Sequence, residues 1–371
     1  MDKKIVHVFW GLGYGGIETM LVNIANNQVK MGVDVHIIII NEIYKKALLE
    51  SFSPKVKIHL LKRRPHSLSM KFIHDFNNLL DDINPNYIHL HQSKLYFFLN
   101  KKNKRRGVCS TLHAMPQGVI RYKGDFLFKL WPILYLRIKN LSYAIDRVPT
   151  AFSISKVVHD ELKNKYGVES IVIENGILTT TFLQRPQNMP IDDLRMVQVS
   201  RLVHDTKGQD LLIRAVAATK GVTVDFIGEG ESMDFLQQLA TELGINDRVR
   251  FLGSKSQDYI REHLKDYDLF VQPSRYEGFG NTVAEAMAAR VPVLVSEGQG
   301  PAEITCGDNF GWTFRNSDAD DLASKIKYIC EHYDEALAKV SPAYKHVNEN
   351  YDVSVTARKY LENYGTITNK K

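Results

Sequence analysis

Residues 268–289 read Asp-Leu-Phe-Val-Gln-Pro-Ser-Arg-Tyr-Glu-Gly-Phe-Gly-Asn-Thr-Val-Ala-Glu-Ala-Met-Ala-Ala. The first four form a short apolar run of the kind buried in a parallel sheet. Ala284-Glu285-Ala286-Met287-Ala288-Ala289 closes the stretch with strong helix formers that stop ahead of Pro292. Gly278 and Gly280 sit at the strand-to-helix crossing, where backbone N–H groups can face a bound anion. Asn281 and Thr282 follow them into the helix. Glu277 in the loop and Glu285 in the first turns can then reach one crevice, an arrangement suited to a phosphorylated, polyhydroxylated ligand. A plainer account uses the same letters: Thr282-Val283-Ala284-Glu285 is a capping-box pattern, in which Glu285 only starts the helix.

The strand–helix alternation extends along the whole chain. Strands are predicted at 5–10, 35–40, 87–91, 108–113 and 151–154. The rhythm restarts with 196–200, 222–227, 249–252, 268–271 and 293–295. The expectation is an α/β protein of two doubly wound, Rossmann-like domains facing a cleft lined by the carboxyl ends of both sheets. Pro186 and Pro190 bracket a polar stretch, which places the domains at 1–188 and 189–353, with an amphipathic tail at 354–371.

At 371 residues, 44% apolar and 24% charged, the chain can bury two ordinary cores. Asp2-Lys3-Lys4 leads into a six-residue apolar run, too short for the core of a secretory signal, and no run approaches the ~20 apolar residues of a membrane span. Cys109, Cys306 and Cys330 are odd in number and far apart, which argues against a disulfide framework or a zinc site. A cytoplasmic protein is the expectation. The net charge of +6 is uneven: residues 1–190 carry 27 Lys/Arg against 14 Asp/Glu, and the rest 21 against 28. The excess gathers in Lys101–Arg106 and around residues 119–143, where Phe126, Leu127, Leu130, Trp131, Leu134, Tyr135 and Ile138 lie at helical spacing. No nucleic-acid motif accompanies it, so nucleic acid is not an expected partner. An anionic membrane surface or a pyrophosphate-linked lipid fits better, which would place the chain peripherally on the cytoplasmic face.

Three further constellations fall at predicted strand ends. Gly11-Leu12-Gly13-Tyr14-Gly15-Gly16 matches the dinucleotide fingerprint letter for letter. An NAD(P) enzyme is therefore the rival reading, although the ribose-binding acid it needs is only half supplied, by Asp34 or Glu42. Arg201 and Lys207, in Val199-Ser200-Arg201-Leu202 and Lys207-Gly208, share one strand–helix loop. Their permanent charge is what a nucleoside-diphosphate leaving group requires as its bond breaks. His113 ends the fourth predicted strand, while His89 and His91 flank Leu90 and suit a structural role. The histidines lack metal spacing, and no Asp-x-Asp of the kind metal-dependent sugar transferases use is evident. No metal and no cofactor are expected.

The spacing Glu277-x7-Glu285, in the wording Glu-Gly-Phe-Gly…Glu-Ala-Met-Ala, resembles the signature of retaining nucleotide-sugar glycosyltransferases of family 4, which have the GT-B fold. The likeness spans nearly the whole chain, strongest over 195–310 and weakest over 42–85 and 114–147. It implies that Gly15-Gly16, followed by Ile17-Glu18, lets the donor diphosphate or acceptor approach bare backbone. It implies that Arg201 and Lys207 grip the β-phosphate, and that His113 contacts the donor sugar. Gly228, in Ile227-Gly228-Glu229-Gly230, would lie near the nucleotide, with Gly280, Asn281 and Thr282 completing the donor site. Glu285 would hold the ribose and Glu277 the transferred sugar. Such proteins return their last helix to the first domain. The implied activity is retaining, metal-free transfer from a nucleoside-diphosphate sugar, a UDP-sugar first, to a glycan or lipid-linked acceptor of surface polysaccharide or lipopolysaccharide. The alternatives are the NAD(P) enzyme or a non-catalytic, glycosyltransferase-like partner in a glycan-assembly complex. Ala114 after His113 and Leu178 after Asn175-Gly176-Ile177 depart from the family wording.

Overall fold

A computed structural model describes residues 3–13, 16–65, 67–116, 145–190 and 192–367. The aromatic and basic segment expected at 119–143 lies outside the described residues. The chain forms two compact units, Met1–Gly176 with Val353–Lys371, and Ile177–Asp352.

The first unit holds a parallel seven-stranded sheet. Its strands are β1 Lys4–Phe9, β2 Asp34–Asn41, β3 Lys57–Arg63, β4 Tyr87–Leu90, β5 Gly107–Leu112, β6 Thr150–Ser153 and β7 Ile171–Val172, in the order β3-β2-β1-β4-β5-β6-β7. Val6, Val8, Ile38 and Ile88 are fully buried beneath Phe76 and Leu80 of the helix Lys71–Ile83. Both faces of a parallel sheet are covered by its crossover helices, which is why these strands read as mainly apolar runs, interrupted by buried polar residues such as His7, His36 and His89. The helix Val353–Tyr364 belongs to this unit and packs on Gly16–Lys30, with Tyr360 and Tyr364 buried and Lys359 bonded to Glu174 at 2.7 Å.

The second unit holds a parallel six-stranded sheet. β8 Leu194–Val199, β9 Val222–Ile227, β10 Val249–Phe251, β11 Leu269–Gln272, β12 Val293–Ser296 and β13 Trp312–Phe314 run in the order β10-β9-β8-β11-β12-β13. Met196, Val224, Phe226, Leu212, Leu294 and Leu322 form its core.

Ten of the strands lie within two residues of their predicted ends, and β3, β7 and β13 carried no sequence expectation. β3 is an edge strand, Lys-Ile-His-Leu-Leu-Lys-Arg, whose apolar residues are only half-buried, so its pattern is diluted by charge. β7 and β13 are two and three residues long, too short to show a period. The boundary also differs. The chain passes into the second unit at Ile177, short of the expected 188. The proline-flanked stretch is anchored there: Leu183 N–H donates to Arg261 O (2.9 Å), Arg185 N–H to Ala289 O (2.8 Å), and the Arg185 guanidinium pairs with Asp268 (2.7 Å). Prolines mark where regular structure stops, which here is inside a unit.

Candidate active site

In the second sheet the chain moves outward from β8 to β10 on one side and from β11 to β13 on the other. The crevice of this sheet therefore lies beyond the carboxyl ends of β8 and β11. Arg201 and Lys207 follow β8, and Glu277 follows β11. Lys207 Nζ donates to Glu277 Oε2, and each side chain of the pair is 18% exposed. The residue expected to hold phosphate and the residue expected to hold sugar thus bond one another. Arg201 projects exposed beside them on the same loop.

That geometry is fixed by neutral amides and one clamp. Lys207 ends a single helical turn, His204–Lys207, closed by Gly208 at φ 68°. The buried Gln198 donates to Lys207 O (2.9 Å) and the buried Gln209 to Arg201 O (2.8 Å). Arg275 grips both oxygens of Asp210 at 2.8 Å and also donates to His204 O at 2.7 Å, tying the loop after β11 to the loop after β8. Gln299 Oε1 accepts from Glu277 N–H at 2.9 Å. None of Gln198, Gln209, Gln299 and Arg275 stood out in the sequence. Their only signal is position, within a few residues of Arg201, Lys207, Gly300 and Glu277.

Gly280, at φ 99°, caps the helix Asn281–Ala288, and no side chain caps it. A Cβ at Gly280 would meet Pro301 Cγ at 2.8 Å. The helix thus begins before Thr282, which places Glu285 too far along for the capping box. Its carboxylate accepts instead from Gln257 Nε2 at 3.1 Å. Burial pushes the Glu285 carboxyl up to about 7, against the pull of Gln257 and Arg261. A carboxyl so poised gains from hydroxyl donors. Gly228, at φ 143°, brings the turn after β9 onto Ser200, where a Cβ would lie 1.9 Å from Ser200 O. Gly228, Gly280, Asn281, Thr282, Glu285, Glu277, Arg201 and Lys207 therefore all lie in loops and helix starts at carboxyl strand ends of one sheet.

The remaining predicted residues belong to the first unit. Gly15 lies outside the described residues, and Gly16 opens the helix Gly16–Lys30 on its exposed side. Leu12 N–H donates to Ile43 O (2.7 Å). Of the two acids the dinucleotide reading could use, Asp34 starts β2 and pairs with Lys57 at 2.8 Å, while Glu42 is exposed directly after β2, whose last residue Asn41 bonds Arg63 at 2.9 Å. His113 is half-buried just past β5 and shares a 3.0 Å hydrogen bond with His91. His7, His89 and His91 bring ring nitrogens within 4.8 Å of one another. Hydrogen bonds already engage both nitrogens of each ring, with Gln28, His91, Tyr364, Thr111, His7 and His113. Two Asp-x-Asp tripeptides exist, but three of their four carboxylates have other duties. Asp268 pairs with Arg185, Asp266 bonds His263 at 2.8 Å, and Asp318 caps the helix Ala319–Glu331.

Two family models match the chain, Glycosyltransferase Family 4 over residues 14–180 and Glycosyl transferases group 1 over residues 180–346. The lipopolysaccharide core biosynthesis glycosyltransferase LpsE of Rhizobium meliloti is 35% identical over 147 residues, covering 40% of this chain and 41% of the relative. The phosphatidylinositol N-acetylglucosaminyltransferase gpi3 subunit of Schizosaccharomyces pombe is 27% identical over 200 residues, covering 53% of this chain and 43% of the relative. The matched stretch thus spans less than half the length of either curated relative. The structure of Anabaena Alr3699/HepE, in complex with UDP and glucose, superposes with a TM-score of 0.76 at 19% identity, covering 98% of this chain and 100% of that one. At that identity the superposition establishes the shared fold.

Proposed function

For a chain that belongs to the family 4 nucleotide-sugar glycosyltransferases and has the GT-B fold, we propose retaining, metal-independent transfer of a sugar from a UDP-sugar to a glycan or lipid-linked acceptor. The observation that carries this is the Lys207–Glu277 pair at the switch point of the second sheet. As the bond from the anomeric carbon to the β-phosphate oxygen breaks, its electron pair passes to the phosphate. Lys207, Arg201 and the N-terminal end of the helix Asn281–Ala288 offset that charge. Glu277, released from Lys207 by the incoming phosphate, accepts hydrogen bonds from sugar hydroxyls. The acceptor hydroxyl bonds the anomeric carbon from the face the phosphate leaves and gives its proton to the departing phosphate oxygen. Glu285 accepts from the ribose hydroxyls. The intact set of charged residues favours catalysis over a non-catalytic assembly role.

A thermal-shift panel of UDP, GDP, ADP and NAD tests the donor. UDP at 100 times its dissociation constant should add ~2.7 kcal/mol of stability. With an α-linked UDP-sugar and excess EDTA, NMR of the fresh product should show an α linkage. Stabilisation by NAD alone, a β product, or loss of turnover in EDTA refutes this reading.

The names of the two curated relatives, one in lipopolysaccharide core biosynthesis and one a phosphatidylinositol N-acetylglucosaminyltransferase subunit, support an acceptor at a membrane surface. Among the described residues no helix is long and apolar enough to cross a membrane. The basic run is partly structural: Arg106 bonds Asn84 (2.7 Å) and Pro85 O (2.9 Å), Lys104 lies 5.0 Å over Tyr96, and Lys102 pairs with Asp81 (3.1 Å). Lys101, Lys102 and Arg105 are exposed. Changing these three to Ser should weaken flotation with anionic vesicles, by about 1 kcal/mol per charge, and spare the fold. Equal recovery with neutral and anionic vesicles refutes membrane docking.

A further inference from the structure

One face of the first sheet is lined with polar side chains. His7 on β1 pairs in register with His89 on β4, His91 follows β4, and Thr111 and His113 continue from β5. The helices Gly16–Lys30 and Val353–Tyr364 supply Gln28, Tyr360 and Tyr364 to the same cluster. Within it four side chains form a single file: Gln28 Oε1 to His7 Nε2 at 2.8 Å, His7 Nδ1 to His91 Nε2 at 3.0 Å, and His91 Nδ1 to His113 Nε2 at 3.0 Å. Gln28 is 0% exposed, His7 2% and His91 5%. His113 Nδ1, at the far end, is buried with no hydrogen-bond partner among the described residues. His89 stands outside the file, engaged with Tyr364 OH (2.7 Å) and Thr111 Oγ1 (2.8 Å).

We propose that Gln28, His7 and His91 are positioning residues that set the tautomer of His113, so that its Nδ1 meets ligand as a hydrogen-bond acceptor. A neutral imidazole has one N–H and one lone pair. The Gln28 carbonyl oxygen can only accept, so His7 donates to it from Nε2 and turns a lone pair at Nδ1 toward His91. His91 must then donate from Nε2, and so must His113. The lone pair left over is His113 Nδ1. All three rings stay neutral, because burial lowers His7 and His113 to about 4 and holds His91 well below the usual histidine range. On the donor-sugar role proposed for His113, which this inference rests on, the orphaned lone pair accepts from a sugar hydroxyl and rejects a group that can only accept. The carboxyl end of β5 thus reads hydroxyl orientation by an amide two ring-widths away.

Proton positions in the folded protein test this without turnover. In histidine-labelled protein, long-range ¹H–¹⁵N spectra should show His7, His91 and His113 all protonated on Nε2. Gln28→Leu removes the fixed acceptor, so His113 should become a mixture of the two tautomers. Gln28→Glu should keep the wild-type pattern at a pH where its carboxyl is ionised, since only the carboxylate is a pure acceptor. Transfer by Gln28→Leu should fall about 5- to 10-fold in kcat, with UDP affinity unchanged. A wild-type ring protonated on Nδ1, or a His113 spectrum unaltered in Gln28→Leu, overturns the relay. If the tautomers behave as stated but no UDP-sugar is turned over, the transferase reading falls and the relay stands.

Discussion

Replacing Lys207 with Ala should lower kcat by about 100-fold or more, with a smaller change in KM for the donor. The reason is where the charge acts. Interactions that strengthen as the leaving phosphate gains charge raise kcat, whereas interactions equal in ground and transition states raise only affinity. Lys207 is only 18% exposed, and it is fixed by the Gln198 bond to its carbonyl and by the Gly208 cap. Its ammonium therefore meets the phosphate with little reorganisation. The substitution also strands Glu277, whose remaining neighbour is the Ser274 hydroxyl at 3.5 Å. Some loss of stability accompanies it, so turnover must be measured well below the melting temperature of the variant. Unchanged kcat with a raised KM contradicts this role.

The two glutamates should separate. Glu285→Ala is expected to weaken UDP binding about 10- to 100-fold, the worth of hydrogen bonds to a charged acceptor. Glu277→Ala should leave UDP binding nearly intact and cripple transfer, since the partner proposed for it is the sugar. The pH dependence adds a sign. The Glu285 carboxyl stands near 7 in the folded chain against 4.5 as its ordinary value, so the unfolded state ionises first. Its presence is neutral below 4.5 and increasingly destabilising from 4.5 to 7, by at most about 3 kcal/mol. Glu285→Gln should therefore raise the melting temperature of the ligand-free protein at pH 8. In the wild type, UDP affinity should carry a component that rises with pH through 7, as the carboxylate forms to accept the ribose hydroxyls. Glu285→Gln should lose that component. Retained UDP affinity in Glu285→Ala, with only a stability change, would show that Glu285 serves the fold alone.

The sequence revealed most of the architecture and the charged half of the site. Buried parallel strands are mainly apolar, so β1, β2, β8, β9 and β11 were legible as runs despite His7, His36, Gln198, Asp225 and Gln272. Glycines that admit no Cβ, such as Gly228 and Gly280, must stay glycine, so the strand-to-helix turns were legible too. Charged residues in such turns stand out because an unpaired charge is costly anywhere but at a surface or a ligand. β7 and β13 escaped because two or three residues have no period, although β10, as short as β13, was legible.

What the tertiary structure decided is pairing. Lys207 and Glu277 lie 70 positions apart, and only the adjacency of β8 and β11 makes them partners. Thr282 and Glu285 read as a capping box until Gly280 proved to be the cap and Gln257, from another helix, the partner of Glu285. His7, His91 and His113 sit on three neighbouring strands, and no spacing along the chain announces that their ring nitrogens meet in line. Local propensity and polarity are written residue by residue, so a single chain displays them. A hydrogen bond between distant residues depends on strand order and register, which are set by how the sheets pack.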